Sequence, residues 1–232
     1  MIKKNFDGHV FYEFEIFQKF SDRVSSVVLT KDFDIDDKGY IQGAFGWSHL
    51  PVAFKKQLHG ADSYIVKSTD KLDDLFGDGF ITQEKNLPIM TRAADCGNII
   101  IFDPKKNVIA NMHAGWKGLA GKIIHSVMGK MRERFECKSE DLIAGISPML
   151  GPCCAQFSDP QKELPSFMHR HISEENIVDL WAATEGQLRE TGILEENIEN
   201  SRICTFCHPE EFYSYRRNKS VEKRFGTLIM LK

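Results

Sequence analysis

Ile99-Ile100-Ile101-Phe102 and Val108-Ile109-Ala110-Asn111-Met112, joined by Asp103-Pro104-Lys105-Lys106-Asn107, form the most legible stretch of this chain. Apolar, β-branched runs on either side of an Asp-Pro turn predict a β-hairpin. With the turn centred near Lys105 and Lys106, antiparallel pairing sets position 98 opposite position 113. Cys96 then enters the open end of the hairpin and His113 leaves it. Directly opposed Cβ atoms lie about 5 Å apart and diagonal ones about 7–8 Å. A thiolate and an imidazole can therefore converge at that end.

Working outward, residues 9–30 alternate apolar and polar types and predict one or two strands, the second around 24–30. Further strands are expected at 63–66, 80–82, 87–92, 142–146 and 227–231, with 52–58 leading into His59-Gly60. Ile123, Ile124, Val127, Met128 and Met131 recur at helical spacing, so a helix is expected from the Gly118 region to about Phe135. A second helix is expected within 174–192, with Leu180, Ala183, Gln187 and Leu188 along one side. Strands outnumber helices and pair locally, which predicts a mixed α/β fold rather than a doubly wound parallel sheet. No repeat, low-complexity segment or linker interrupts the chain, so a single domain over 1–232 is expected.

Thirty Lys and Arg against 33 Asp and Glu give a formal net charge of −3. Basic residues are scattered, which leaves no electrostatic footprint for nucleic acid or an anionic membrane surface. Every apolar stretch is broken before the roughly 20 residues a spanning helix needs. The N-terminal Lys3-Lys4 pair has no apolar run behind it. The expectation is a cytoplasmic protein without signal peptide or anchor. Asp32, Asp34 and Asp36 alternate, but the Gly and distal Glu of a calcium loop are missing at the required offsets.

Six cysteines stand at 96, 137, 153, 154, 204 and 207. Without a secretory signal their even number does not argue for disulfides. Cys204-Thr205-Phe206-Cys207-His208 matches the pattern for covalent haem attachment, which requires an oxidising compartment, and half of a zinc ribbon, for which no second C-x-x-C follows. The expected reading is a pair of core or loop cysteines near the active region, with Cys153 and Cys154 structural. At Cys96 the neighbouring Gly97 allows close backbone approach. Gly115-Trp116-Lys117-Gly118 opens a helix whose N-terminus would suit an anion such as phosphate. From residue types alone, a buried inert Cys96 and a hydrogen-bonded loop His113 are as good a reading as a reactive pair.

Lys56-Gln57-Leu58-His59-Gly60, Ala94-Asp95-Cys96 and His113-Ala114-Gly115-Trp116-Lys117-Gly118 resemble the three hallmark segments of the YfiH family, also called the laccase-domain or polyphenol oxidoreductase family. Ser147–Pro152 resembles the family's Gly-Pro stretch, and Cys204-Thr205 with Phe212–Arg217 resembles its C-terminal signature. Five segments in order, over roughly 50–232, carry the resemblance. The Gly-Gly-Val-Ser and Asn-Leu-Gly segments of many members have no clear match, although Gly43–Trp47 stands where part of them would be.

The resemblance implies a layered α-β-β-α domain with mostly antiparallel or mixed sheets, like that of cysteine hydrolases. It also implies zinc on His59, Cys96 and His113. Two imidazoles and a thiolate suit zinc with a fourth position open, and copper accepts the same set. The implied activity is phosphorolysis of adenosine, inosine and methylthioadenosine, together with deamination of adenosine. Arg216 and Lys117 are candidates to hold phosphate. Asp95 is the candidate proton carrier, and Asp78 a weaker one. Copper-dependent phenol oxidation is the alternative, although multicopper chemistry needs more histidines than this cluster offers. A metal-free Cys–His amide hydrolase acting on peptidoglycan precursors is a further alternative. The expected partners are a small-molecule nucleoside and phosphate; the sequence leaves the oligomeric state open.

Overall fold

The hairpin expected from the turn chemistry is present in the computed structural model, which describes residues 1–68, 74–220 and 222–232. In chain order the strands are β1 (Ile2–Phe6), β2 (His9–Glu13), β3 (Val24–Leu29), β4 (Val52–Ala53), β5 (Ser63–Ile65), β6 (Gly79–Thr82), β7 (Ile89–Ala93), β8 (Gly97–Asp103), β9 (Val108–Ala114), β10 (Ile143–Ile146), β11 (Ile198–Asn200) and β12 (Phe225–Leu231). The helices are α1 (Lys38–Phe45), α2 (Trp116–Ala120), α3 (Ile123–Phe135), α4 (Pro160–Glu163) and α5 (Leu180–Glu190). The β8–β9 register pairs Asn98 with His113 and Gly97 with Ala114, as the position of the turn predicts. The Asp103 carboxylate closes that turn by accepting the N–H groups of Lys105 and Lys106.

Both faces of this hairpin are buried, and each faces a different core. Ile99, Ile101, Val108, Ala110 and Met112 pack against Ile123, Val127 and Met131 of α3. The alternate residues Ile100, Phe102 and Ile109 meet Ile89, Phe225 and Ile229 of the other sheet. The period of two along each strand thus sorts one hairpin between two cores. Among the described residues there are two six-stranded sheets, ordered β1-β2-β3-β12-β7-β4 and β11-β10-β8-β9-β6-β5. On the outer side of the first sheet, Phe11, Val27, Leu29 and Leu228 cover Ile41 of α1. The layers therefore run helix, sheet, sheet, helix, and neighbouring strands are mostly antiparallel, with parallel pairs at β4–β7, β5–β6 and β10–β11. None of the helices among the described residues is long and apolar enough to cross a membrane.

Several elements differ from the sequence-based expectation. The helix expected up to Phe135 is broken: α2 ends at Gly121, and Lys122 takes a left-handed φ of 61° before α3 starts. The stretch with alternating Asp32, Asp34 and Asp36 runs into α1, which the Asp37 carboxylate caps by accepting the Tyr40 N–H and Gly46 ends at φ 64°. The second helix lies within 174–192 as expected, starting at Leu180, where Asp179 caps it. The 52–58 stretch gives two strand residues, while β1 and β11 are short, polar edge strands with little apolar alternation to announce them.

Candidate metal centre

Two connections carry the chain from the first sheet to the second, and the candidate site lies where they meet. The 54–62 connection leads from β4 of the first sheet to β5 of the second, and holds His59. Ala94-Asp95-Cys96 leads directly from β7 to β8, again between sheets. Such abrupt crossings demand unusual backbone: His59 has φ 58° and Asp95 φ 84°. Left-handed conformations at non-glycine residues cost stability and tend to gather at functional sites. His113 arrives from the end of β9, held opposite Asn98 by the hairpin register.

These three side chains converge. The candidate ligand atoms of His59, Cys96 and His113 all lie within 4.8 Å of one another. Cys96 Sγ is 4.0 Å from His59 Nδ1, and the two imidazole rings meet edge to face with centroids 4.7 Å apart. Tetrahedral zinc with bonds of about 2.0–2.3 Å separates its donors by roughly 3.5 Å, so small side-chain rotations suffice to close around an ion. One donor is buried, one half-buried and one exposed. The soft, borderline donor set and its spacing fit a zinc-type metal.

Asp78 organises the centre more closely than its place in a Gly-Asp-Gly turn suggests. β6 pairs Gly79 with Met112, which sets Asp78 beside His113. The Asp78 carboxylate lies 2.9 Å from His113 Nδ1, and its backbone oxygen accepts the His113 N–H. The same carboxylate accepts the N–H groups of Leu58, His59 and Gly60. One fully buried carboxylate therefore fixes both the His59 loop and the His113 ring, leaving His113 Nε2 for a ligand.

Charge follows from this geometry. Burial would raise the Cys96 thiol, but the His113 and His59 imidazoles outweigh it and bring it down to about 6. Burial likewise opposes protonation of His113, yet the Cys96 sulfur and the Asp78 carboxylate raise it to about 9. Without metal the pair is thus thiolate and imidazolium, and a metal ion would take the place of that proton.

The remaining candidates stand around this cluster. Asp95 Oδ1 accepts the Thr205 hydroxyl at 2.7 Å and Oδ2 accepts the Arg216 N–H. Both oxygens are therefore engaged in anchoring the 203–217 loop. Arg216 is exposed and donates from its guanidinium to the Gln156 carbonyl. Lys117 is exposed, with Nζ 5.4 Å from the centroid of the Trp116 ring. The helix that Lys117 opens is only five residues long, so the sustained dipole expected there for an anion is absent.

Gly115 is the residue whose part the sequence did not reveal. Its φ of −77° is open to any residue, so backbone freedom does not explain it. A Cβ built there would overlap Cys96 Sγ and lie 4.0 Å from His59 Nδ1. Gly115→Ala is expected to push the Cys96 sulfur out of the cluster and to weaken metal retention by an order of magnitude or more, in a protein that still folds. Chelator competition combined with thermal melting checks this; unchanged retention would show that the sulfur has room to spare.

The comparisons with known proteins agree with this fold. A family model described as multi-copper polyphenol oxidoreductase laccase matches residues 38–232. A Clostridium acetobutylicum protein named purine nucleoside phosphorylase is 30% identical over 236 residues, covering 97% of this chain and 98% of that one. The human purine nucleoside phosphorylase LACC1 is 32% identical over 187 residues, covering 75% of this chain but 41% of the human protein. The chain thus spans less than half the length of that human relative. Among solved structures, YfiH of Bacillus licheniformis superposes with a TM-score of 0.82 at 23% identity, covering 90% of this chain and 93% of that one. YlmD of Geobacillus stearothermophilus gives 0.80 at 22%, covering 94% of each. This chain belongs to the multi-copper polyphenol oxidoreductase laccase family, the family of YfiH and YlmD.

Proposed function

We propose that this chain is a zinc-dependent purine nucleoside phosphorylase of the cytoplasm, acting on adenosine, inosine and methylthioadenosine. The observation that carries the reading is the convergence of His59, Cys96 and His113 within 4.8 Å around a ring held by Asp78. Relatives that carry the name purine nucleoside phosphorylase support the reaction class. A metal on these three residues supplies a Lewis acid with one position left open.

The chain's own residues supply position and charge. Phosphorolysis requires a phosphate oxygen to attack ribose C1′ while the bond from C1′ to the purine nitrogen breaks and its electron pair leaves with the base. Lys117 stands two residues after Gly115, which abuts Cys96, and Arg216 is tied through its N–H to Asp95 next to Cys96. Their cationic heads are the proposed phosphate holders. Tyr215, 52% exposed beside Arg216, offers a face on which a purine can stack.

Deamination of adenosine at the same cluster is the second reading, supported by a three-donor set that would leave a metal position open to water. It also needs a carboxylate free to carry protons. Asp78 and Asp95, the carboxylates the sequence offers, are both committed to hydrogen bonds, which makes phosphorolysis the primary reading. Phenol oxidation by several coppers finds little support in the donors. Among the described residues, only one other His, Cys, Asp or Glu cluster has metal-binding spacing, and it is all cysteine. A metal-free Cys96–His113 hydrolase would be active after chelation, whereas the proposed enzyme would not.

The deciding assay is chromatography of adenosine, inosine and methylthioadenosine incubated with zinc-loaded protein, with and without phosphate. Free base and ribose 1-phosphate, or its methylthio analogue, are expected only when phosphate is present, and phosphate-independent inosine from adenosine would report deamination. Absence of every product at high enzyme concentration would overturn the nucleoside assignment.

A further inference from the structure

Two loops outside the site just described bring four sulfurs together. Cys153 and Cys154 follow Gly151-Pro152, while Cys204 and Cys207 bracket Thr205-Phe206. Their sulfur atoms all lie within 4.8 Å of one another, about fifty residues apart in sequence. Cys207 Sγ is 3.6 Å from Cys153 Sγ and 3.5 Å from Cys154 Sγ. These separations are well beyond a disulfide bond of about 2.05 Å. They are close to the roughly 3.8 Å edge of a tetrahedron built on zinc–sulfur bonds of about 2.3 Å. The adjacent pair Cys153-Cys154 thus takes the place of the second C-x-x-C that the sequence lacks.

We propose that Cys153, Cys154, Cys204 and Cys207 form a second, structural metal site that binds zinc as a tetrathiolate. The surrounding backbone is built for such a site. Thr205 N–H donates to the Met149 carbonyl and Met149 N–H to the Ile203 carbonyl, so a short parallel bridge clamps the two loops. Each cysteine pair sits on a turn closed by its own backbone, Cys154 N–H to the Gly151 carbonyl and Cys207 N–H to the Cys204 carbonyl. Gly151 N–H points at Cys204 Sγ from 3.3 Å, a bond that strengthens when the sulfur is a metal-bound thiolate. A side chain at Gly151 would run into the Trp181 ring, so this loop packs closely against that ring.

Gathering four ionisable sulfurs is unfavourable without a cation among them, and zinc removes that repulsion while leaving no coordination position for chemistry. The ion's effect reaches the first centre through hydrogen bonds. Thr205, between Cys204 and Cys207, donates to Asp95, and Leu150 N–H donates to the Asp95 carbonyl. The tetrathiolate would thereby brace the sheet-to-sheet crossing that presents Cys96.

Elemental analysis of the full chain, prepared under reducing conditions, is expected to give about two equivalents of zinc. The Cys153→Ser/Cys207→Ser variant is expected to lose about one equivalent, and His113→Ala the other. Cobalt(II) loading of His113→Ala, in which all four cysteines remain, should give the intense thiolate charge-transfer and tetrahedral d–d absorption of an all-sulfur site. That measurement decides the matter even if the double variant fails to fold. The proposal is overturned if reduced His113→Ala protein shows no such spectrum, or if mass spectrometry of freshly prepared protein finds a disulfide among these cysteines.

Discussion

His113→Ala and Cys96→Ser are each expected to remove about one equivalent of metal from the protein and with it the nucleoside chemistry. Complete zinc sites supply roughly 10–16 kcal/mol of binding free energy. Losing one of three protein ligands should therefore weaken binding on the order of 10³-fold or more. The two variants reach that result by different routes. His113→Ala removes a buried ring that Asp78 holds through Nδ1 and leaves the Asp78 carboxylate with its three backbone donors. Cys96→Ser keeps the shape but replaces a readily ionised thiol with an alcohol that stays protonated. The measurement is the difference in bound metal from the parent protein, since the tetrathiolate should keep its own ion in both variants. Parent-level metal in both would place the metal elsewhere and remove the three-residue centre.

The approach of Cys96 to His113 was legible because both hang on a hairpin, whereas His59 entered only through the family resemblance. Asp103-Pro104 and the flanking β-branched runs determine the register, and the register alone sets Asn98 against His113. The sequence could not show that β7 and β8 belong to different sheets. That is why Asp95 adopts φ 84° and why its carboxylate is used on the Thr205 and Arg216 loop rather than left free beside the metal. Nor could it show that β6 lies beside β9, which turns Asp78 from one residue of a glycine-rich turn into the anchor of two candidate ligands. The tetrathiolate cysteines escaped for a related reason. Their pairing depends on a two-residue bridge between loops, which has no periodicity to read. Local pattern foretold the elements; contacts between sheets and between loops foretold the chemistry, and only the fold supplies those.

Asp78→Asn separates that anchoring role from ordinary stability. The native carboxylate takes four hydrogen bonds, from His113 Nδ1 and from the N–H groups of Leu58, His59 and Gly60, with no exposure to solvent. Its pKa is set by opposing causes: burial raises it, while the bonds from His113 and from the backbone lower it, and the lowering prevails. The asparagine amide keeps one acceptor oxygen and turns an NH₂ toward groups that are themselves donors. At least one N–H of the His59 loop must then go unsatisfied, at a cost of about 1–3 kcal/mol. For a chain of this size that lowers the melting temperature by several degrees. The metal effect should be larger than this loss predicts. His113 loses the carboxylate that fixes its ring and raises its basicity, and such partners are typically worth 10–100-fold in metal affinity. Asp78→Glu restores the charge but sits one methylene too far forward in a space with no slack, so it should recover affinity only in part. Chelator competition for zinc and a thermal melt of the metal-free protein read the two effects independently. Metal affinity equal to the parent's in a folded Asp78→Asn protein would reduce Asp78 to a loop fastener and leave the orientation of His113 to the hairpin alone.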